Sequence, residues 1–600
     1  MGTTVNPVIF DQSPPRKAFS WKSRFSVLCG WITAYLLIRT GWIYSYDDWN
    51  ALPNFKLKAD VLVTKDLCTQ APPLTPHTHA ELYKNLSGLY ESAAFKLTAV
   101  QALGGAVQVP TESYDGMAPV GQDARWEVFG KLHEYLLAEF PLVHSSLKVT
   151  KVNTYGIVYH WQGTDKSLKP ILLAAHQDVV PVDPLTVKDW VHPPYSGYYD
   201  GTYVWGRGSV DDKASLVAIL VALETLLASG FVPERSIVVA FGFDEESSGT
   251  EGAGRLFDEL VSQYGKDSFA FLVDEGAGFG EFYGGLFAIP AIGEKGYLDV
   301  KVEVSSPGGH SSVPPRHTSI GILASMLVKY ESEPYPAVLN RATPFYQTLT
   351  CIGAYAQDIS EDLRKLILAS IDSDVALTEL SNILVQDPLT EAQVGTTQAI
   401  DLINGGVKTN ALPESAWAII NHRIAVDSSV KATMERSIDL LLPLASKFNL
   451  SVTAFGENIT DASVPSYGSL TLTDAFDGQL EPAPITPTDS ASYRLLSGTI
   501  LATHKASSAY KNLGREMVIA PGMMTDTKFY WDITRNIYRY VVCSLLYPPN
   551  SEFSSYGHSD ATAAYAGIHT INEAYKASAL VEQVRFFTTL ILNADEAPEL

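Results

Sequence analysis

Ile171-Leu-Leu-Ala-Ala-His-Gln-Asp178 begins as an uninterrupted apolar run and ends in an imidazole and a carboxylate. A strand that is apolar on both faces belongs inside a sheet covered on both sides, as in parallel α/β architectures. Two further runs repeat the arrangement: Ile237-Val-Val-Ala-Phe241 is followed by Asp244-Glu245-Glu246, and Phe269-Ala-Phe-Leu-Val273 by Asp274-Glu275-Gly276. A helical stretch over 211–229 separates the first two, so the chain reads β-α-β. At the start of that helix lies Gly206-Arg-Gly-Ser-Val-Asp-Asp-Lys213. Ligand crevices of open α/β sheets lie beyond the carboxyl ends of the strands, so these acids and the histidine are predicted to converge.

Carboxylates crowded into one crevice repel one another unless a cation sits among them. Imidazole and carboxylate donors without cysteine suit zinc or a similar divalent ion. Singly, each segment has an ordinary explanation: coincidence for His176-Gln-Asp178, a solvated turn for Asp244-Glu-Glu246, a helix cap for Asp211-Asp212. Three such groups at successive strand ends are better explained together, by a metal site.

From Tyr297 the pattern changes. Leu298, Val300, Val302 and Val304 alternate with Asp299, Lys301 and Glu303, the mark of a sheet with one solvated face. A second strand over 417–424 and a helix over 430–447 complete a small α+β unit inserted into the α/β domain. The expected boundaries are 76–296 for the first part of the α/β domain, 297–457 for the insert and 458–600 for the second part. Residues 340–400 are expected to hold helices particular to the insert, and an amphipathic helix over 571–593 to close the chain.

The chain's 600 residues are too many for one compact core. An apolar share of 46% with 18% charged residues excludes a disordered chain. A net charge of −23, with no basic cluster in the folded part, excludes a nucleic-acid partner. Four cysteines exclude a disulfide scaffold and a Cys-rich zinc module. With Cys29 in an apolar segment, Cys68, Cys351 and Cys543 allow at most one disulfide.

Residues 1–24 read as a basic cytosolic tail, 25–46 as a transmembrane signal anchor and 47–75, with Pro53 and Pro72-Pro73, as a stalk. This topology places the remainder in a lumen, with which the sequons at Asn85, Asn449 and Asn458 agree.

Four motifs carry a resemblance: Leu173-Ala-Ala-His-Gln-Asp-Val-Val-Pro181, Trp205-Gly-Arg-Gly-Ser-Val-Asp-Asp-Lys213, Phe243-Asp-Glu-Glu-Ser-Ser-Gly249 and Gly308-Gly-His-Ser-Ser312. They resemble those of the co-catalytic di-zinc peptidases that include aminoacylase and carboxypeptidase S. The carboxypeptidase S branch is the nearest, over roughly residues 100–320, 400–425 and 520–590.

The resemblance implies a mostly parallel-sheet catalytic domain with an inserted α+β lid of dimerisation type, and two zinc ions per subunit. It makes His176 a ligand of one zinc, Asp211 the carboxylate bridging both and Glu246 a ligand of the second. Either Asp274 or Glu275 would bind the first zinc. The last ligand is a histidine four residues before a Glu, which selects His569 in His569-Thr-Ile-Asn-Glu573 over His558. Glu245 is implied as general base, and Asp178 as acceptor of the far ring proton of His176. His310 would stabilise the oxyanion, and Asn410 and Arg423 would bind substrate from the lid.

The implied activity is that of a metallocarboxypeptidase releasing the C-terminal residue of short Gly-X-type peptides, in a luminal, vacuolar compartment. A related branch with the same ligands hydrolyses or synthesises N-acyl amino acids. Expected partners are peptides with a free C-terminus, the membrane through the N-terminal helix, and a second copy through the lid. Histidines bind metal only when neutral, so metal affinity is expected to fall below about pH 6.

Overall fold

The computed structural model describes residues 67–600 apart from 462, 464, 509–515, 524–526 and 543–564. A mixed eight-stranded sheet runs in the order Lys148–Val152, Gly156–Trp161, Ile237–Gly242, Ile171–His176, Leu272–Asp274, Ile537–Arg539, Ala291–Gly293, Gly522–Met523. Its middle is parallel: Ile171–His176 pairs on one side with Ile237–Gly242 and on the other with Leu272–Asp274, which pairs in turn with Ile537–Arg539. Both strands that begin at the predicted apolar runs are buried throughout. All three strands point their carboxyl ends the same way, so His176, Asp244 and Asp274 emerge at one edge of the sheet.

The helix predicted over 211–229 spans Lys213–Ala228 and is buried along almost its whole length. Its partner is the C-terminal helix, Ala577–Asp595. This corrects the expected amphipathic helix over 571–593. Residues 574–576 are a strand paired with Tyr203–Trp205, and the helix after it is buried on every side. Polar residues that read as a solvent face are instead paired inside. Arg585 bonds Glu582 and Glu91, Gln583 donates to Ser215, Thr588 meets the Tyr90 hydroxyl, and Asn593 donates to the Leu74 carbonyl.

A second sheet forms the insert, in the order Thr397–Gly405, Ser415–Ile424, Gly296–Ser305, Gly468–Asp474, Leu450–Ala454, Glu457–Asn458. Burial alternates residue by residue along Gly296–Ser305, as its sequence predicts. Helices Ser319–Ser332 and Val430–Lys447 cover the buried face. The sheet takes Gly468–Asp474 from beyond residue 457, because that strand pairs with Gly296–Ser305 over six residues. Four helices occupy 344–394, and Thr343, Ser360, Ser373 and Asp387 each cap one by accepting a backbone N–H at its start.

The segment expected as a stalk is docked where it is described. Gln70 bonds both the N–H and the carbonyl of Ile519, Leu74 N–H donates to the Gly498 carbonyl, and Cys68 is joined to Cys351 by a disulfide. The expected anchor over 25–46 lies outside the described residues, as do the tail, Cys543 and His558. Among the described residues no helix is long and apolar enough to cross a membrane. The expectations of a single-pass membrane protein and of a membrane partner are therefore withdrawn.

Candidate metal centre

Five segments deliver the cluster. His176 ends its strand, Asp211 precedes the buried helix, Glu245 and Glu246 form a single turn after Ile237–Gly242, and Glu275 follows Leu272–Asp274. His569 comes from a turn near the C-terminus. His176 Nε2 lies 2.9 Å from Asp211 Oδ1 and 2.9 Å from Glu275 Oε1. His569 Nε2 lies 3.0 Å from Asp211 Oδ2 and 3.2 Å from Glu246 Oε1. The two oxygens of Asp211 thus face different imidazoles, each with its own second carboxylate. Donor atoms of His176, Asp211 and Glu246 fall within 4.8 Å of one another, as do those of His176, Asp212 and Glu275. Two imidazoles and several carboxylates around two centres, without a thiolate, form a dinuclear metal site.

Of the pair left open by the sequence, Glu275 reaches His176. Asp274 turns its Oδ1 back to accept the Glu275 N–H at 3.0 Å. The peptide bond Asp211-Asp212 is cis. Asp212 begins the buried helix but its side chain does not cap it. Its Oδ2 accepts the His176 N–H at 3.4 Å, so Asp212 is a further carboxylate of the site.

The charges answer to this crowding. Burial works against ionisation of Asp211, yet hydrogen bonds from His176 and His569 hold its carboxyl below the usual range. Burial pushes Glu275 well up and Glu246 up, the ordinary response of carboxylates short of a cation. Burial disfavours charge on His176, but Glu275 and bonds to Asp178 and Asp211 carry the ring well above its usual value. Hydrogen bonds to Asp211 and Glu246 raise His569 to about 10. A set of groups that binds protons this tightly has the charge balance that suits divalent ions.

Two buried carboxylates fasten the loops. His176 Nδ1 lies 3.0 Å from the Asp178 carbonyl and 3.2 Å from Asp178 Oδ1. Both are acceptors, so Nδ1 is the donor and Nε2 keeps its lone pair for a metal. Asp178 also accepts the N–H groups of Glu245 (3.1 Å) and Glu246 (3.0 Å) and the Ser113 hydroxyl (2.7 Å).

Glu573 Oε2 pairs with Arg207 Nη1 at 2.6 Å, and its Oε1 accepts the N–H groups of Val210 and Asp211 at 2.9 and 3.3 Å. It thereby ties the His569 turn to the backbone of Asp211. That turn needs tying: His569 has φ 56°, and Asn572 φ 64°, in the left-handed region disfavoured for residues with a side chain. In the sequence, Arg207 falls inside a motif and Glu573 marks only the spacing to His569. No motif marked Ser113.

The lid residues fall into two places. His310 pairs with Ala411 in a short antiparallel ladder, and Ser311 N–H donates to the Asn410 carbonyl, so His310 and Asn410 are neighbours. The Ser312 N–H can only donate, and it lies 3.2 Å from His310 Nδ1. In the neutral ring the proton therefore sits on Nε2. Arg423 lies elsewhere, exposed at the other end of Ser415–Ile424 and over the Tyr297 ring at 5.8 Å. Ser415 and Arg423 are separated by roughly 26 Å of strand.

An α/β domain that gathers a dinuclear site at its strand ends, interrupted by an α+β insert, defines a class of di-metal hydrolases. The profile of peptidase family M20/M25/M40 matches residues 172–593, and the chain belongs to that family. It is 37% identical over 523 residues to carboxypeptidase S of Saccharomyces cerevisiae, covering 84% of this chain and 89% of that one. It is 32% identical over 511 residues to the N-fatty-acyl-amino acid synthase/hydrolase of Mus musculus, covering 83% of this chain and 88% of that one. The crystal structure of human carnosine dipeptidase 1 shares the fold, with a TM-score of 0.54 at 15% identity over 87% of this chain and 100% of that chain. Family and site together make the protein a metallopeptidase.

Proposed function

We propose that the chain is a zinc carboxypeptidase that removes the C-terminal residue of short, Gly-X-type peptides. His176, Asp211 and Glu275 would hold one ion, and Asp211, Glu246 and His569 the other. The observation that carries this reading is the Asp211 carboxylate, whose oxygens lie 2.9 Å and 3.0 Å from two different imidazole Nε2 atoms, as a bridging ligand requires. Two divalent ions there would polarise the scissile carbonyl and lower the pKa of a water.

The chain's own groups do the rest. Glu245, whose backbone is pinned by Asp178, takes the proton of the attacking water on its carboxylate and delivers it to the leaving amine. His310 presents its Nε2–H as a donor to the developing oxyanion. Arg423, roughly 26 Å of strand from the end beside His310, lies too far away within one chain to hold the carboxylate of the same short peptide. The mammalian-type relative supports a second substrate class, N-acyl amino acids, on the same donors.

The test is a metal count on purified protein with a substrate panel: a blocked dipeptide with a free C-terminus, its C-terminal amide, and a long-chain N-acyl amino acid. We expect two zinc ions per chain and turnover of the free acid at least about a hundredfold above that of the amide. Equal turnover of acid and amide refutes the carboxypeptidase reading. Turnover of the N-acyl amino acid alone assigns the second class instead.

A further inference from the structure

The family profile starts at residue 172, yet a segment well before it reaches the site. Residues 111–113 run beside 177–179. Val179 N–H donates to the Thr111 carbonyl at 3.0 Å, Ser113 N–H to the Val179 carbonyl at 3.2 Å, and the Thr111 hydroxyl to the Gln177 carbonyl at 2.6 Å. This stitching buries Ser113 to 1% exposure and sets its hydroxyl 2.7 Å from Asp178 Oδ2.

Asp178, itself 0% exposed, divides its contacts by oxygen. Oδ1 faces His176 Nδ1 and the Glu245 N–H, while Oδ2 takes the Glu246 N–H and the Ser113 hydroxyl. Three of those four donors belong to the metal site that Asp178 is meant to order. The fourth, Ser113, is held by the backbone on either side of Asp178, at Gln177 and Val179.

We propose that Ser113 is a positioning residue of the metal site: it fixes the rotation of the one carboxylate on which the His176 ring and the Glu245-Glu246 turn both rest. Without its hydroxyl, Oδ2 keeps only the Glu246 N–H. The carboxylate can then turn about Cβ–Cγ, and ring and turn lose their common reference. The groups displaced hold metal and move a proton, so the loss belongs in kcat rather than KM. This rests on the ligand and base assignments proposed above.

The experiment compares full-length wild type with Ser113→Ala, Ser113→Thr, Asp178→Asn and the Ser113→Ala/Asp178→Asn double variant. It reads kcat and KM on a blocked dipeptide, zinc loss to a chromophoric chelator, and thermal melting. For Ser113→Ala we expect kcat down about tenfold to thirtyfold with KM within about twofold, the scale of one hydrogen bond to a charged group. Zinc should leave about tenfold faster, as when a metal ligand loses its outer support. Threonine, which keeps a hydroxyl, should recover most of kcat. In the Asp178→Asn background the serine change should cost less than about twofold more.

Wild-type kcat and zinc retention in Ser113→Ala overturn the proposal, and so do equal losses in both backgrounds. A Ser113→Ala chain that melts far below wild type and is not restored by threonine assigns the serine to stability alone and also overturns it. Wild-type protein without peptidase activity would sink the functional reading, while the chelator measurement would still judge Ser113 by itself.

Discussion

Replacing Glu573 by alanine tests whether one buried carboxylate fastens the two sides of the metal site. Its carboxylate pairs with Arg207 at 2.6 Å and takes the Val210 and Asp211 N–H groups at 2.9 and 3.3 Å, while its own carbonyl accepts the Gly206 N–H at 2.8 Å. Removing one partner of a buried ion pair costs roughly 3–5 kcal/mol, because the other charge stays behind unpaired. Burial raises the Glu573 carboxyl despite Arg207, so desolvation offsets part of the attraction and the low end of that range applies. The orphaned Val210 N–H adds about 1 kcal/mol, for a total near 4 kcal/mol. A cooperative unit of roughly 500 residues has an unfolding entropy of about 1 kcal/mol/K, so melting should fall by about 4 °C.

Glu573→Gln keeps an acceptor for the amides but not the charge, and should lose about half as much. Hydrogen exchange gives the local readout: amides over 206–211 should exchange faster, and zinc should dissociate faster because the strained His569 turn is released. A Glu573→Ala protein that melts within 1 °C of wild type (roughly 1 kcal/mol on the same scale), with unchanged exchange over 206–211, would refute the reasoning.

Glu245→Gln should lower kcat by about a hundredfold to ten-thousandfold with zinc content unchanged, which kinetics and a metal count on the same sample will check. In chelator-stripped protein His569, raised to about 10 by Asp211 and Glu246, carries a proton at neutral pH. Metal must displace it, so zinc uptake should release at least one proton and apparent affinity should climb with pH through neutrality, not only below the pH of a free imidazole. Calorimetry in buffers of different ionisation enthalpy measures the release, and a value of zero contradicts the charge balance described. The Cys68–Cys351 disulfide spans 283 residues of sequence. Cys68→Ser should cost about 2–5 kcal/mol of stability, read by melting, and leave kcat unaltered.

What the sequence disclosed follows from the range over which its signals act. His176, Asp211, Glu246 and the acid after Leu272–Asp274 stand beside apolar runs or a helix start, so a local pattern marks each one. Parity defeats the finer question: whether the strand ends at Val273 or Asp274 decides which acid turns inward, and one residue of apolar pattern does not settle it. The C-terminal helix shows the opposite failure. Gln583, Arg585, Thr588 and Asn593 look like a solvent face, because their partners Ser215, Glu91, Tyr90 and Leu74 lie hundreds of positions away. Ser113 and Glu573 belong to the same category, being polar residues whose meaning exists only in the fold. Metal donors must cluster for chemistry and therefore leave motifs. The groups that aim those donors need only one good contact each, so they leave almost none, and in this protein they are where the structure adds most to the sequence.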